Sequence, residues 1–205
     1  IFNHDEVVNV KEPILGADGF NSVLRKSIAE TLKISFKKKE LEYGYKEISL
    51  PEYKSRFQLN ENVLHIWPRK SFMLIALPNT DKTFTCTLFY PLKGSASFQS
   101  LKKEKEVEDF FKENFGDLFS LIPNLYEQFA LNPTGKLGSI YMDKWVLKDK
   151  VCLLGDAAHA VVPFFGQGMN ASFQDCSNLF KILCEESTIS SAFKKYNDTN
   201  VENGH

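Results

Sequence analysis

The 205-residue chain is poor in the features that mark whole classes of protein. It has no excess of either charge: 25 Lys and Arg stand against 26 Asp and Glu, a net of −1. That argues against a nucleic-acid binder, whose phosphate recognition usually shows as a basic excess or stripe. The short runs Lys37-Lys38-Lys39 and Lys102-Lys103 read as solvated faces or loop ends. The four cysteines (Cys86, Cys152, Cys176, Cys184) form no CxxC pair, and two lie inside apolar runs; all four read as reduced core thiols of an intracellular protein. No apolar run reaches the roughly 20 residues of a membrane helix, and no signal peptide is visible. Internal repeats and low-complexity segments are absent. No second His or carboxylate stands at metal spacing from His159, and no Ser-His-Asp constellation is supported, so neither a metal site nor a catalytic side chain is expected. The chain opens at Ile1 without a Met and closes at Val201–His205 without a clear stop, and it reads as an internal piece of a longer protein.

What is present suits a globular protein of one or two domains: 43% of residues are hydrophobic and 25% charged. Ile14-Leu15-Gly16-Ala17-Asp18-Gly19 reads as a strand end followed by a tight turn. Asn21 or Ser22 then caps a short helix carrying Arg25. From Leu41 to Leu92 the chain is strand-rich, with the strongest runs at Val63–Trp67, Phe72–Leu77 and Thr83–Tyr90. Pro68-Arg69-Lys70 and Pro78-Asn79-Thr80-Asp81 separate them, which predicts an antiparallel meander. In the last run Phe84, Cys86, Leu88 and Tyr90 share the more apolar face, which should meet packed helices. In the middle run Met73, Ile75 and Leu77 oppose Phe72, Leu74 and Ala76; both faces are apolar, so both are expected to be covered. Val107, Phe110, Phe111, Phe115 and Leu118 fall at helical spacing and predict one amphipathic helix over Glu104–Leu118. Short strands are expected at Ser139–Met142 and Val151–Leu154. A helix over Met169–Cys184 should have Phe173, Cys176, Phe180 and Leu183 on one side, and a last helix spans Ile189–Tyr196. The order predicts an α/β (α+β) fold with a sheet inserted into it: residues 1–27 and 139–205 form one domain, residues 28–138 the other. A sheet set against an α/β domain leaves a cleft, a usual ligand site.

The richest stretch is Val151–Ala171, VCLLGDAAHAVVPFFGQGMNA. A strand ending in Gly155-Asp156 puts a carboxylate at the C-terminal edge of a sheet, where ligands of open α/β sheets lie. Asp156 can accept from ribose or ribityl hydroxyls, or it can simply cap the helix that begins at Ala157. In Gly166-Gln167-Gly168-Met169-Asn170 two glycines let backbone approach a ligand face. The helix that follows offers free N–H groups and the positive end of its dipole to an anion or developing negative charge; a glycine-rich helix start without ligand is the plain alternative. The Asp18-Gly19 turn is the weakest signal. Arg25 either faces a pyrophosphate or sits on the helix surface. His159 reads as structural.

In GADGFNSVLR (Gly16–Arg25), LHIWPRKSFMLIALPN (Leu64–Asn79), FTCTLF (Phe84–Phe89) and LLGDAAHAVVPFFGQGMN (Leu153–Asn170) the chain resembles the flavoprotein aromatic hydroxylases. HIWPR-x-x-F-M-L-I-A-L-P and PFFGQGMN are most similar to the branch that acts on L-kynurenine. The family's N-terminal GxGxxG segment has no counterpart here. The resemblance implies a reaction: NADPH reduces FAD, oxygen adds at flavin C4a, and the hydroperoxide hydroxylates L-kynurenine at its 3-position. Chemistry then belongs to the cofactor, and the protein supplies orientation and a dry pocket. The resemblance implies that Asp18, Gly19, Asp156, Gly166, Gln167, Gly168, Met169 and Asn170 bind FAD. It implies that Leu64, Ile66, Met73, Ile75, Leu77 and Phe89 face the substrate ring from the sheet, with Pro163, Phe164 and Phe165 closing it from the flavin side. A related hydroxylase with another substrate, or a piece unable to hold FAD alone, are the alternatives. The implied location is the cytoplasm in a bacterium, or the mitochondrial outer membrane in a eukaryote through a region not in this chain.

Overall fold

The structure, a computed structural model, describes residues 9–204, with the backbone alone for Phe165 and Asn203. It falls into two units: residues 1–39 with 138–205, and residues 40–137.

In the first unit the three-residue strand β1 (Ile14–Gly16) pairs in parallel with β8 (Val151–Leu153), Ile14 opposite Val151 and Gly16 opposite Leu153. The short β7 (Val146–Leu147) completes a sheet of order β1-β8-β7. Helices α1 (Val23–Leu32), α5 (Asp156–His159), α6 (Gly168–Glu185) and α7 (Ile189–Gly204) belong to this unit. Ser22 is the N-cap of α1, its hydroxyl accepting from Arg25 N at 2.9 Å. Trp145, Tyr196, Phe193 and Ile28 are the largest apolar side chains of its core.

Helix α6 corrects a sequence expectation. Its buried side is Asp175, Leu179 and Ile182. Phe173 and Phe180 are 64% and 69% exposed, and Leu183 is also exposed. The more hydrophobic stripe is therefore not the packed one, because the packed face contains a hydrogen-bonded carboxylate that hydropathy counts against it. Cys176 and Cys184, expected in the core, are exposed on the same helix, whereas Cys86 and Cys152 are buried.

The second unit is a sheet backed by helices. The chain enters it along β2 (Lys37–Leu50), whose first three lysines are exposed, and leaves it along β6 (Gly135–Tyr141). Between them lie β3 (His65–Pro68), β4 (Met73–Pro78) and β5 (Phe84–Pro91), then α2 (Glu104–Asn114), α3 (Gly116–Phe119) and α4 (Leu125–Leu131). The sheet order is β3-β4-β5-β2-β6, and the β3-β4-β5 meander is antiparallel with Ile66 opposite Ile75 and Ile75 opposite Thr87. One face carries Ile48, Leu50, Leu74, Ala76, Phe84, Cys86, Leu88 and Tyr90, all buried against Val107, Phe110, Phe111, Phe115 and Leu118.

Two expectations change here. The predicted single helix over Glu104–Leu118 breaks at Phe115, whose φ of −142° leaves the helical region before a new turn begins at Gly116. Phe115 and Leu118 are buried all the same, so the apolar spacing survives the break. The middle strand was expected to be covered on both sides, yet only its Leu74 and Ala76 face is buried. On the other side Leu77 and, on the neighbouring strand, Ile66 are exposed, as is Leu64 just before that strand. No helix among the described residues is long and apolar enough to cross a membrane.

Candidate functional site

Parallel pairing of β1 with β8 brings two loops together in the first unit. Both strands end at the same edge, and Leu154 N donates to Gly16 O at 2.9 Å, so Asp18 and Asp156 follow strand ends that lie side by side. Arg25 fastens the two loops. Its Nη1 donates to Ala157 O at 2.9 Å and Asp156 O at 3.4 Å, and its Nη2 to Phe20 O at 2.5 Å. The guanidinium also lies over the Phe36 ring, 4.9 Å from its centroid. Arg25 is thus neither a surface residue nor free to meet a pyrophosphate: it is 1% exposed and spent on backbone carbonyls. Burial lowers its pKa and the nearby Asp18 carboxylate opposes that fall.

The Asp18 carboxylate, exposed, accepts from Val23 N at 2.8 Å and Leu24 N at 3.2 Å, the first donors of α1. Burial pushes its pKa up, but hydrogen bonds from Ser22, Leu24 and Val23 outweigh that and hold it below the ordinary carboxylate value. Gly19 follows at φ +78°, and a Cβ there would meet nothing within 4 Å, so this stretch of backbone is open to a ligand.

Asp156 is exposed at the start of α5. The preceding Gly155 has φ +56° and ψ −140°, a conformation that glycine alone adopts readily. The Pro163–Phe165 stretch forms a 3-10 turn ending on Gly166 at φ +63°. Pro163 and Phe164 are exposed; the Phe165 side chain lies outside the described residues. Gln167 is the N-cap residue of α6, and its amide oxygen accepts from Asn170 Nδ2 at 3.1 Å. The first N–H groups of α6 (Gly168, Met169, Asn170) lie at the positive end of the dipole. Asp156 borders that end: a Cβ built on Gly168 would lie 4.0 Å from Asp156 Oδ1. Met169, also assigned to the site, is 67% exposed.

The second set of assigned residues shares one face of the second unit's sheet. Pairing sets Met73 opposite Phe89, Ile66 opposite Ile75, and Leu77 opposite Thr85. Alternation places Ile66, Met73, Ile75, Leu77 and Phe89 on the side away from the helices, and Leu64 immediately precedes β3. Ile66 is 52% exposed, Met73 and Ile75 are half-buried, and Phe89 is buried with its ring 6.3 Å from that of Tyr45. An exposed apolar sheet face of this kind is characteristic of a binding surface.

Sequence reading missed three buried polar groups. Arg25 was visible as a residue but not as a tie between its own loop and one 131 residues on in sequence. Asp175 carries no motif signal; its only sign is a carboxylate on the helix face that also bears Leu179 and Ile182. Lys46, buried in β2, donates to Phe129 O and Asn132 O and closes the C-terminal end of α4. Among the described residues, no group of three or more His, Cys, Asp or Glu could hold a metal ion.

The chain is similar to three kynurenine 3-monooxygenases: 44% identical over 183 residues to that of Dictyostelium discoideum, 46% over 173 to that of Cytophaga hutchinsonii and 39% over 204 to that of Legionella pneumophila. Those alignments cover 89%, 84% and 98% of this chain, but only 40%, 38% and 45% of the relatives; the chain spans less than half their length. Among solved structures, Klebsiella pneumoniae HpxO, determined with FAD and uric acid, superposes with a TM-score of 0.71 at 17% identity, over 93% of this chain and 47% of that one. The tetrameric form of 2-methyl-3-hydroxypyridine-5-carboxylic acid oxygenase gives 0.69 at 22% identity, over 93% of this chain and 50% of that one. At these identities the likeness is one of fold, and it is the mixed α/β fold expected from the sequence. The family model for the FAD binding domain matches residues 12–198, and the chain belongs to that family.

Proposed function

We propose that this chain is part of an FAD- and NADPH-dependent monooxygenase that hydroxylates L-kynurenine to 3-hydroxykynurenine. The observation that carries the reading is its 39–46% identity to kynurenine 3-monooxygenases across most of its own length. The donor set of the first unit suits FAD. Asp156 offers a carboxylate acceptor for sugar or ribityl hydroxyls. The start of α6, at Gly168, Met169 and Asn170, stabilises negative charge on the flavin edge through the positive end of the helix dipole, and Gln167 precedes it as the N-cap residue. Gly19 and Gly166 leave backbone open where a Cβ would meet nothing within 4 Å, so a flat ring can approach closely. Asp18 holds the turn that carries Gly19. FAD, once bound, supplies the redox chemistry, taking electrons from NADPH and activating oxygen.

In the second unit Leu64, Ile66, Met73, Ile75, Leu77 and Phe89 form an apolar surface for the aromatic ring, and apolar walls exclude the water that diverts such reactions to peroxide. Pro163, Phe164 and Phe165 are assigned to the same ring by resemblance. The reading carries a location with it: the cytoplasm in a bacterium, the mitochondrial outer membrane in a eukaryote.

The test is turnover by the full-length purified protein. Flavin absorbance bands should be present, L-kynurenine should accelerate NADPH oxidation, and the product should be heavier by one oxygen atom. NADPH oxidation indifferent to L-kynurenine, with no hydroxylated product, refutes the substrate; absence of flavin after loading with FAD refutes the cofactor.

A further inference from the structure

A buried carboxylate lies directly behind the Gly155-Asp156 turn. Asp175, on the inner face of α6, is 5% exposed, and so is His159. A single oxygen, Asp175 Oδ2, accepts from Gly155 N at 2.8 Å and from His159 Nε2 at 2.6 Å. His159 stacks on Trp145, ring centroids 4.7 Å apart and planes 19° from parallel. Trp145 is held in turn by Asn197 Oδ1, which accepts from its backbone N at 2.8 Å. The turn is therefore tied through Asp175 and His159 to the centre of the first unit's core.

A carboxylate out of water is costly, and an apolar residue of the same size would pack there without that cost. What the carboxylate supplies is direction. It holds the peptide N–H immediately before Asp156, in a turn whose glycine has a positive φ and no room for a side chain: a Cβ on Gly155 would lie 2.5 Å from Ser172 Oγ, also on α6. Helix α6 thus supports the turn by contact at Ser172 and by hydrogen bonding at Asp175, and its N-terminus borders Asp156. Fixing the Gly155 peptide fixes where the Asp156 carboxylate points relative to the start of α6.

We propose that Asp175, with His159 as its hydrogen-bond partner, is a positioning residue for Asp156 and hence for the hydroxyl-bearing part of the dinucleotide. The inference rests on the FAD reading above. It is tested by a double-mutant cycle on FAD affinity, measured by titrating full-length apo-protein with FAD and following flavin fluorescence.

Asp175→Leu should raise the Kd for FAD by about tenfold or more, and Asp175→Asn, which keeps an acceptor for Gly155 N–H, by less. In an Asp156→Ala background either substitution should add less than about twofold, because the group being aimed is gone. The visible circular dichroism of bound flavin should change in Asp175→Asn while the far-ultraviolet spectrum does not. Should Asp175→Leu fail to fold, the Asp175→Asn cycle decides alone. Parent-like FAD affinity in both variants, or an equal fold-loss with and without the Asp156 carboxylate, overturns the inference, since equal loss marks general loosening. If Asp156→Ala alone leaves FAD affinity unchanged, the cofactor role of this turn fails and the inference with it. If Asp156→Ala weakens FAD and the Asp175 variants do not, only the inference fails.

Discussion

The two units are held together differently. Within residues 40–137 the interior is mainly hydrocarbon and rings, with Lys46 and Ser97 as buried polar residues: Phe72, Tyr90, Phe98, Phe110, Phe111, Phe115 and Phe129 meet one another with centroids 4.9–6.4 Å apart, mostly edge to face. Within residues 1–39 and 138–205 the interior also contains Arg25, His159, Asp175, Asn197 and Asn200. Apolar burial is strong but nondirectional, and it tolerates exchanges that conserve volume. Buried hydrogen bonds add little net stability each, yet they fix geometry and are expensive to break. The second unit is built to stay folded under a flat apolar face, and the first to hold two loops in one arrangement.

Substitutions can break that contrast. The largest effect is expected at Phe111, fully buried between helix and sheet: Phe111→Ala should cost about 3–5 kcal/mol in denaturant unfolding. A loss under 1 kcal/mol would mean the aromatic interior does not carry the second unit. Arg25→Met, which keeps the volume and removes the donors, should cost about 2–3 kcal/mol by leaving carbonyls of Phe20 and Ala157 unpaired, and should weaken FAD binding as well. If stability falls but FAD affinity stays, the polar interior holds the fold and not the loops.

Asp18→Asn should cost about 1 kcal/mol at neutral pH, the usual size of a helix-start contact. The sign of its pH dependence follows from a folded pKa below the ordinary 3.8. The carboxylate's contribution is complete above the unfolded value and disappears as pH falls through the folded one. The gap between parent and variant should therefore begin to close as pH falls below 3.8 and vanish once pH is below the lower folded value; a gap that does not narrow with acid removes the charge from the explanation. Leu77→Gln, on the exposed sheet face, should change stability by under about 0.5 kcal/mol yet lower kcat/KM for L-kynurenine by about tenfold. The smallest perturbation is a thiol count: a neutral disulfide reagent should reach Cys176 and Cys184 in the folded protein. Cys86 and Cys152, whose burial pushes their pKa up to about 12, should react only after unfolding. Fast reaction of all four would show that the cores open.

Much of this was legible in the sequence where one periodicity dominates. Alternation in Phe84–Tyr90 predicts the buried face of β5, and the spacing of Val107, Phe110 and Phe111 predicts the inner face of α2. Sequence reading fails where a polar group is buried for its geometry. On α6 the pattern offers two stripes, and hydropathy favours Phe173 and Phe180 over the stripe with Asp175, because a side chain's partner (here His159, sixteen residues upstream) is invisible to periodicity. The 14-residue β2 is partly hidden for a related reason: its opening KKKE reads as a solvated run, though backbone pairing, not side-chain burial, makes it a strand. At the site, Gly155-Asp156 and Gly166–Asn170 could be located by motif, while the arginine and carboxylate that hold those loops could not.

The parallel strand pair carries a kinetic implication. Ile14 can find Val151 only after the whole intervening chain has been ordered or traversed, and closing a loop of that length is slow and entropically costly. Residues 40–137 include the β3-β4-β5 meander and neighbouring helices, local contacts that form early, and the longer-range pairing of β2 with β5. Their folding delivers the two ends of the insertion side by side: a Cβ on Gly138 would lie 2.8 Å from Lys39 O. Once collapsed, the insertion acts as a short tether, and the strands on either side of it meet as though they were neighbours in the chain. The apolar-cored unit is thus expected to be the folding template for the unit with the polar interior, and a lesion such as Phe111→Ala should slow the refolding of a region it does not belong to.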